Sequence, residues 1–247
     1  MTVMGSSAPV VGVLGGMGPA ATADFYRKLV EATPAHRDQD HLRTLIWSDP
    51  SIPDRAEAFL RGGPSPVRGL IAGARLLEES GADFIAVPCN TAHLFLGAVR
   101  RRAGIPVLDM IGSTVDEILT AGSGAEPPRG AVAVLGTAAT MASGIYTDRL
   151  IGNGVAVLHP RDAEQHAVIA AITAVKAGEI ERGVELLSPV LEALARSGAT
   201  RVVTACTELP ILSERIDAGP QIVDPTAALA RACVRSALVL PVTSAGR

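Results

Sequence analysis

Short apolar runs alternate with longer segments whose apolar residues recur every three or four positions. The runs at residues 10–14, 42–47, 84–87 and 105–108 are rich in Val, Ile and Leu and have no polar alternation. They predict buried parallel strands. Between them, residues 19–33 and 66–80 carry helical periodicity, and Gly81 follows the second where a helix-terminating glycine belongs. The same order returns later in the chain. Strands are predicted at residues 131–135, 155–158, 202–205 and 221–223, and helices at 163–177 and 179–197. Alternating strands and helices imply an α/β protein with parallel sheets flanked by helices on both faces.

The two sets share more than their order. Val11-Gly-Val-Leu-Gly15 matches Val132-Ala-Val-Leu-Gly136, and Val107-Leu-Asp109 matches Ile222-Val-Asp224. Gly81-Ala-Asp-Phe-Ile-Ala-Val-Pro-Cys89 matches Gly198-Ala-Thr-Arg-Val-Val-Thr-Ala-Cys206, with each thiol at the same distance from its Gly-Ala pair. The chain therefore divides into a first α/β domain at 1–121 and a second at 131–224, related by a pseudo-two-fold axis. Residues 225–247 form a C-terminal helix and tail, placed to pack back on the first domain. Residues 121–130, rich in Gly and Pro with no apolar period, read as the linker.

In parallel α/β sheets, ligands bind beyond the carboxyl ends of the strands, where both thiols fall. One thiol from each domain can flank a small molecule in the cleft between them. That geometry suits removal of a proton from one face and its return on the other. Asn90 and Thr91 follow Cys89, and Thr207, Glu208 and Pro210 follow Cys206. These are residues of helix starts, so each thiol is expected at a positive helix end with its pKa lowered from about 8.5. A buried cysteine is otherwise a small hydrophobe. Cys233 sits in an apolar helical stretch and reads that way.

Composition narrows the classes. With 48% hydrophobic and 19% charged residues the chain is globular, and a net charge of −3 argues against a nucleic-acid partner. No apolar run is long enough for a membrane helix, and residues 1–7 lack the build of a signal peptide. Three cysteines, an odd count, suit a reducing cytoplasm.

Other residues remain open on spacing alone. Gly16-x-Gly18-x-x-Ala21 formally fits a dinucleotide fingerprint, but the nearest acidic residue, Asp49, comes too late for the ribose contact. A small carboxylate suits that loop better. His93, four residues beyond Cys89, could orient the thiol, ligate a metal or hold structure, and no second ligand lies at metal spacing. Arg55, on a long connection, could clamp a carboxylate or be a solvated surface residue. Lys176 could face the cleft or simply sit at a helix C-terminus. It and Lys28 are the only lysines. Thr137 and Thr140 follow Gly136 and could hold a carboxylate with their hydroxyls.

Taken together, Gly15-Gly-Met-Gly-Pro19, Ile52-Pro-Asp-Arg55, Pro88-Cys-Asn-Thr-Ala-His93, Lys176-Ala-Gly178 and Cys206-Thr-Glu208 resemble the motifs, in order, of the cofactor-independent aspartate/glutamate racemases. The resemblance spans most of the chain. It implies two similar α/β domains, a site in the cleft, no cofactor, no metal and a homodimer. By that likeness Cys89 and Cys206 take the places of the catalytic thiols. Met17, Asn90, Thr91, Thr137 or Thr140, and Thr207 take the places that hold the amino acid's own carboxylate and amine. Arg55 and Lys176 take those that meet a side-chain carboxylate. Ala205 departs from the glycine that often precedes the second thiol in the family. The implied activity is interconversion of L- and D-aspartate or glutamate. A hydantoin racemase or a related two-cysteine isomerase or decarboxylase shares the thiols without needing paired cations. A nicotinamide-dependent oxidoreductase would rest on the glycine loop, and a binding protein could keep the fold without catalysis.

Overall fold

The structure, a computed structural model, describes residues 9–120, 130–217 and 219–239. The segment read at residues 1–7, most of the expected linker and the tail lie outside the described residues. Among the described residues there are seven strands: β1 (Val11–Gly15), β2 (Thr44–Ser48), β3 (Phe84–Ala86), β4 (Ala131–Gly136), β5 (Val157–Leu158), β6 (Ala199–Ala205) and β7 (Gln221–Val223). They form two parallel sheets, ordered β2-β1-β3 and β5-β4-β6-β7. Each sheet therefore repeats one plan, with the second strand on one side of the first and the third strand on the other. The chain reverses its direction of winding between β1 and β3, and again between β4 and β6. Such a switch point opens a crevice at the strands' carboxyl ends.

The main helices lie within one residue of the sequence expectation at each end: Pro19–Ala32, Val67–Glu79, Asp162–Lys176 and Ile180–Arg196. Pro19 starts the first of them, where a missing N–H costs nothing. Gly81 and Gly198 lie just beyond two others with φ of 92° and 91°. Only glycine holds that conformation without strain, so the chain turns sharply at both places into the strands that lead to the thiols.

The strands depart further from expectation. The run at 105–108 is a single bridge between Ile85 and Val107 rather than a strand. Pro106 has no N–H to give a ladder, so pairing shrinks to two bonds: Ile85 N–H to the Pro106 carbonyl at 2.8 Å and Leu108 N–H to the Ile85 carbonyl at 2.9 Å. β5 keeps only two residues, because the Val155 N–H instead bonds the Leu150 carbonyl at a helix end.

Each sheet is covered on both faces. Phe25, Leu29, Leu229 and Cys233 pack on one side of the first sheet, and Leu70, Leu77 and Leu96 on the other. Burying each such Leu or Phe contributes about 1.5–3 kcal/mol. Leu229 and Cys233 belong to the Pro225–Val239 helix, so the chain leaves the second sheet and returns to the first. Lys28 adds a polar tie. Its buried ammonium meets Asp24 at 2.5 Å and Asp224, at the end of β7, at 2.7 Å. Removing one member of such a buried pair costs about 3–5 kcal/mol, because the other charge is left without a partner.

Candidate active site

The loops after β1, β3, β4 and β6 converge. Met17, Arg55, Cys89, Asn90, Thr91, Thr137, Lys176, Cys206 and Thr207 all line one cavity of about 50 Å³. Thus nine of the ten residues singled out from sequence meet there. Thr140, the tenth, stands behind them. Its hydroxyl lies 3.0 Å from those of both Thr91 and Thr137, which are 3.2 Å apart. This hydroxyl triangle crosses from one sheet's loops to the other's.

The glycine loop answers to packing. Gly16 has φ of 88°, and a Cβ there would lie 2.3 Å from the Asp49 backbone. The end of β2 therefore presses on the loop where a dinucleotide would need to approach. The cavity is also far below the roughly 300–1,000 Å³ of a drug-sized ligand site. Both points disfavour the nucleotide reading.

Arg55 opens the helix Arg55–Arg61 and is half-buried. Its guanidinium donates to the carbonyls of Ile52 and Pro53 at 3.1 Å and of Met17 at 3.4 Å. Its Nε is buried with no partner among the described residues, as is the Nδ2 of Asn90. Unpaired buried donors cost free energy, so two of them at one cavity point to an acceptor that binds there. Asn90 is aimed by a residue the sequence did not reveal. The Tyr146 hydroxyl, fully buried and from the other half of the chain, donates to Asn90 Oδ1 at 2.5 Å. That contact leaves the amide's donor end for the cavity. Lys176 is the last residue of its helix and is exposed at the cavity's edge.

His93 touches neither the thiol nor any metal cluster; among the described residues no group of His, Cys, Asp or Glu is arranged for a metal. Its Nδ1 donates to the Cys89 carbonyl at 2.9 Å and its Nε2 accepts from the Met110 N–H at 3.1 Å. Burial holds its pKa down at about 4, so the ring is neutral near pH 7 and has one donor and one acceptor, as both contacts require. It clamps the backbone of the Cys89 loop.

The expected lowering of the thiol pKa values is corrected. Cys89 and Cys206 are 5% and 6% exposed. Burial pushes Cys89 up, against the pull of the Arg55 charge and of the Ala92 N–H. Burial pushes Cys206 up further, and the Glu208 carboxylate adds to it, against Lys176 and the Glu208 N–H. N–H groups of the following turns do point at both sulfurs. But those turns are short, Thr91–Leu94 and Leu209–Ser213, and desolvation outweighs them.

Glu208 is the other residue that sequence reading did not place. It is 4% exposed and lines the cavity, and Cys206 Sγ donates to its Oε2 at 3.0 Å. Thr207 Oγ1 approaches the same oxygen at 3.4 Å. The signal was present in the repeat, because the position two beyond Cys89 is Thr91 and carries no charge.

Known proteins match this chain in sequence and fold. The model of the Asp/Glu/hydantoin racemase family matches residues 14–233. A broad specificity amino-acid racemase of Bacillus subtilis is 33% identical over 233 residues, covering 93% of this chain and 98% of that protein. The aspartate racemase of Picrophilus torridus superposes with a TM-score of 0.83 at 35% identity, covering 93% of this chain and 94% of that one. A glutamate racemase from Francisella tularensis, solved with D-glutamate, shares the fold at a TM-score of 0.68 and 15% identity, covering 98% of this chain and 85% of that one. The chain belongs to the Asp/Glu/hydantoin racemase family and is an isomerase of the racemase type.

Proposed function

We propose that the protein racemises a small acidic amino acid, aspartate or glutamate, by proton transfer between two thiols and without a cofactor. The observation that carries this reading is the meeting of Cys89 and Cys206, from opposite sheets, at one small cavity with unpaired donors from Arg55 and Asn90. One sulfur, as thiolate, takes the α-proton; the other, as thiol, gives a proton to the opposite face. Met17, Asn90, Thr91, Thr137 and Thr207 surround the substrate's own carboxylate and amine, with Thr140 holding the hydroxyls in place. The N–H groups and hydroxyls stabilise the enolate-like oxygens. Arg55 and Lys176 meet the side-chain carboxylate. Neither lysine suits a pyridoxal Schiff base: Lys28 is held by Asp24 and Asp224 outside the cavity, and Lys176 is exposed at its edge.

The name of the relative at 35% identity, an aspartate racemase, supports this substrate class, and that of the relative at 33%, a broad specificity amino-acid racemase, supports racemisation of amino acids. The pair of cations favours it over a hydantoin racemase or a two-cysteine decarboxylase. The reading extends to a homodimer in a reducing cytoplasm, where the three cysteines remain free as they are in this structure. It also keeps two domains, at residues 1–121 and 131–224, with residues 225–247 returning to the first.

The test is incubation in D2O, with no pyridoxal phosphate added, of each enantiomer of aspartate, glutamate, alanine and a 5-substituted hydantoin. Deuterium at Cα together with the opposite enantiomer of an acidic amino acid supports the reading. Exchange confined to the hydantoin, or no exchange, refutes it.

A further inference from the structure

The repeat that builds the site is broken at one charged position. We propose that Glu208 polarises the two thiols, keeping Cys206 as the proton donor of the free protein and making Cys89, beside Arg55, the sulfur that gives up its proton first. This rests on the reading of both sulfurs as the reacting groups, and it assigns a role to a residue that reading leaves idle.

The geometry around each sulfur is different. Cys206 Sγ lies 3.0 Å from Glu208 Oε2, and both residues are buried. In that contact the sulfur is the donor and the carboxylate oxygen the acceptor, so the hydrogen sits on the sulfur. A thiolate there would set two negative charges in contact in a site of low dielectric, which is strongly unfavourable. Among the described residues no Lys, Arg or His lies within ion-pair distance of Glu208. The cation acting on Cys206 is the exposed Lys176. The first sheet's glycine loop covers the carboxylate, since a Cβ on Gly18 would lie 3.7 Å from Glu208 Oε1.

At Cys89 the corresponding position is Thr91, whose hydroxyl is turned to Thr137 and Thr140. The charged group beside this sulfur is the Arg55 guanidinium, joined by the Ala92 N–H. Glu208 opposes ionisation of Cys89 too, but acts on it through space rather than by contact. Asp54, which also lines the cavity, is exposed and spends its carboxylate capping the Glu57 N–H at 2.7 Å. His93 faces the Cys89 carbonyl and stays neutral near pH 7.

The proton balance gives this polarity a consequence. With Cys89 as thiolate, the Cα–H bond breaks and a Cys89 S–H bond forms, leaving the electron pair on the substrate. The Cys206 S–H bond then breaks, a Cα–H bond forms on the other face, and the pair left on Cys206 makes it a thiolate. The protein now carries its charge beside Glu208. It returns to rest when water carries a proton from Cys89 to Cys206. One enantiomer therefore meets the resting form, and the other needs the disfavoured one. Since the equilibrium constant of a racemisation is unity, kcat/KM is the same in both directions. The asymmetry appears in kcat and KM, which differ between enantiomers in proportion.

The test reads the free protein and needs no turnover. Native protein is treated with iodoacetamide near pH 8, and labelling of each cysteine is followed by peptide mass spectrometry. Only thiolate reacts, and a tenfold difference in rate corresponds to about one pKa unit between sulfurs of equal access. Cys89 is expected to react at least about tenfold faster than Cys206. Glu208→Gln keeps the side chain's shape and is expected to raise the Cys206 rate about tenfold or more while changing Cys89 far less. Arg55→Gln, at a different and less buried position, is expected to slow Cys89 and not Cys206. Equal labelling of both thiols in the native protein, faster labelling of Cys206, or a Cys206 rate unmoved by Glu208→Gln overturns the proposal. If the labelling pattern holds but no amino acid is racemised, the polarity stands and the proposed function falls.

Discussion

Two places beyond the thiol, one half of the chain has Thr91 and the other Glu208; the halves otherwise share strand order, helix-ending glycines and the spacing of Gly-Ala to Cys. The first thiol loop is clamped from behind by His93, which holds the Cys89 carbonyl and the Met110 N–H. The second is closed by its own backbone, Leu209 N–H to the Cys206 carbonyl at 3.0 Å. The cations differ as well, Arg55 half-buried and braced by carbonyls, Lys176 exposed. Duplication thus accounts for the scaffold that aims two sulfurs at one space. The groups that set the charge on each sulfur lie at the positions where the copies diverge. A symmetric fold can house an asymmetric pair of thiols only through such unshared residues.

The broadest way to break the comparison is to remove one sulfur at a time. On the proposed two-thiol mechanism, Cys89→Ala and Cys206→Ala are each expected to lower racemisation at least about 10³-fold, and the double variant to be little worse. Chiral chromatography of aspartate and glutamate measures this. A single variant that keeps a tenth of native activity, as an order of magnitude, would show that one half suffices.

Acid should separate the two loops next. His93 sits at about 4 in the folded protein against an ordinary value of 6.5. The unfolded chain therefore takes up a proton first as pH falls, and stability contributed by the neutral ring is full above 6.5, declines below it, and is lost near 4. The loss amounts to about 3 kcal/mol as an order of magnitude. Urea midpoints at pH 7 and pH 5 should show it, and His93→Gln should flatten that part of the profile. Amide exchange should speed up at Met110 and around Cys89 before it does at Leu209. Equal loss of protection in both loops would remove the distinction.

The cations give a smaller contrast. Arg55→Ala is expected to cost about 30- to 100-fold in kcat/KM for aspartate, the range for truncating one partner of a desolvated charged contact. Lys176→Ala should cost less than about tenfold, because water screens an exposed ammonium. Reversed magnitudes would mean that the distal carboxylate is held at the cavity's edge and not beside Cys89.

Much of this was legible along the chain because it is local. Helix ends follow from Pro19, Gly81 and Gly198, and the thiol positions follow from one repeated pattern of about a dozen residues. The strand expected at 105–108 failed on one residue, Pro106, whose missing N–H a count of apolar positions does not register. The thiol pKa direction failed because Asn90-Thr91 and Thr207-Glu208 announce helix starts but not that those helices are a single turn, nor that both sulfurs are buried. Tyr146 lies 56 positions from Asn90, and nothing in its neighbourhood suggests a site. Glu208 stood in plain view within a quoted motif. Its meaning appears only when the two halves are compared position by position, with burial known.

Tyr146 offers the finest test, because it is where the halves touch through a single directed bond. Its hydroxyl donates to Asn90 Oδ1 and so turns Asn90 Nδ2 toward the cavity, unpaired. Burial holds the phenol far above its ordinary pKa, so it remains a donor at every working pH. Tyr146→Phe keeps the ring's packing and deletes that bond, leaving the amide free to turn its oxygen to the substrate. A carboxylate would then meet an acceptor part of the time. The expected result is a KM for aspartate raised about fivefold, near 1 kcal/mol, with kcat changed less than about twofold. Asn90→Ala in the same background should add little, since the bond that gave the amide its direction is already gone. A full additional loss from Asn90→Ala would mean that the amide keeps its orientation without Tyr146, and that the two halves are joined at this point by packing alone.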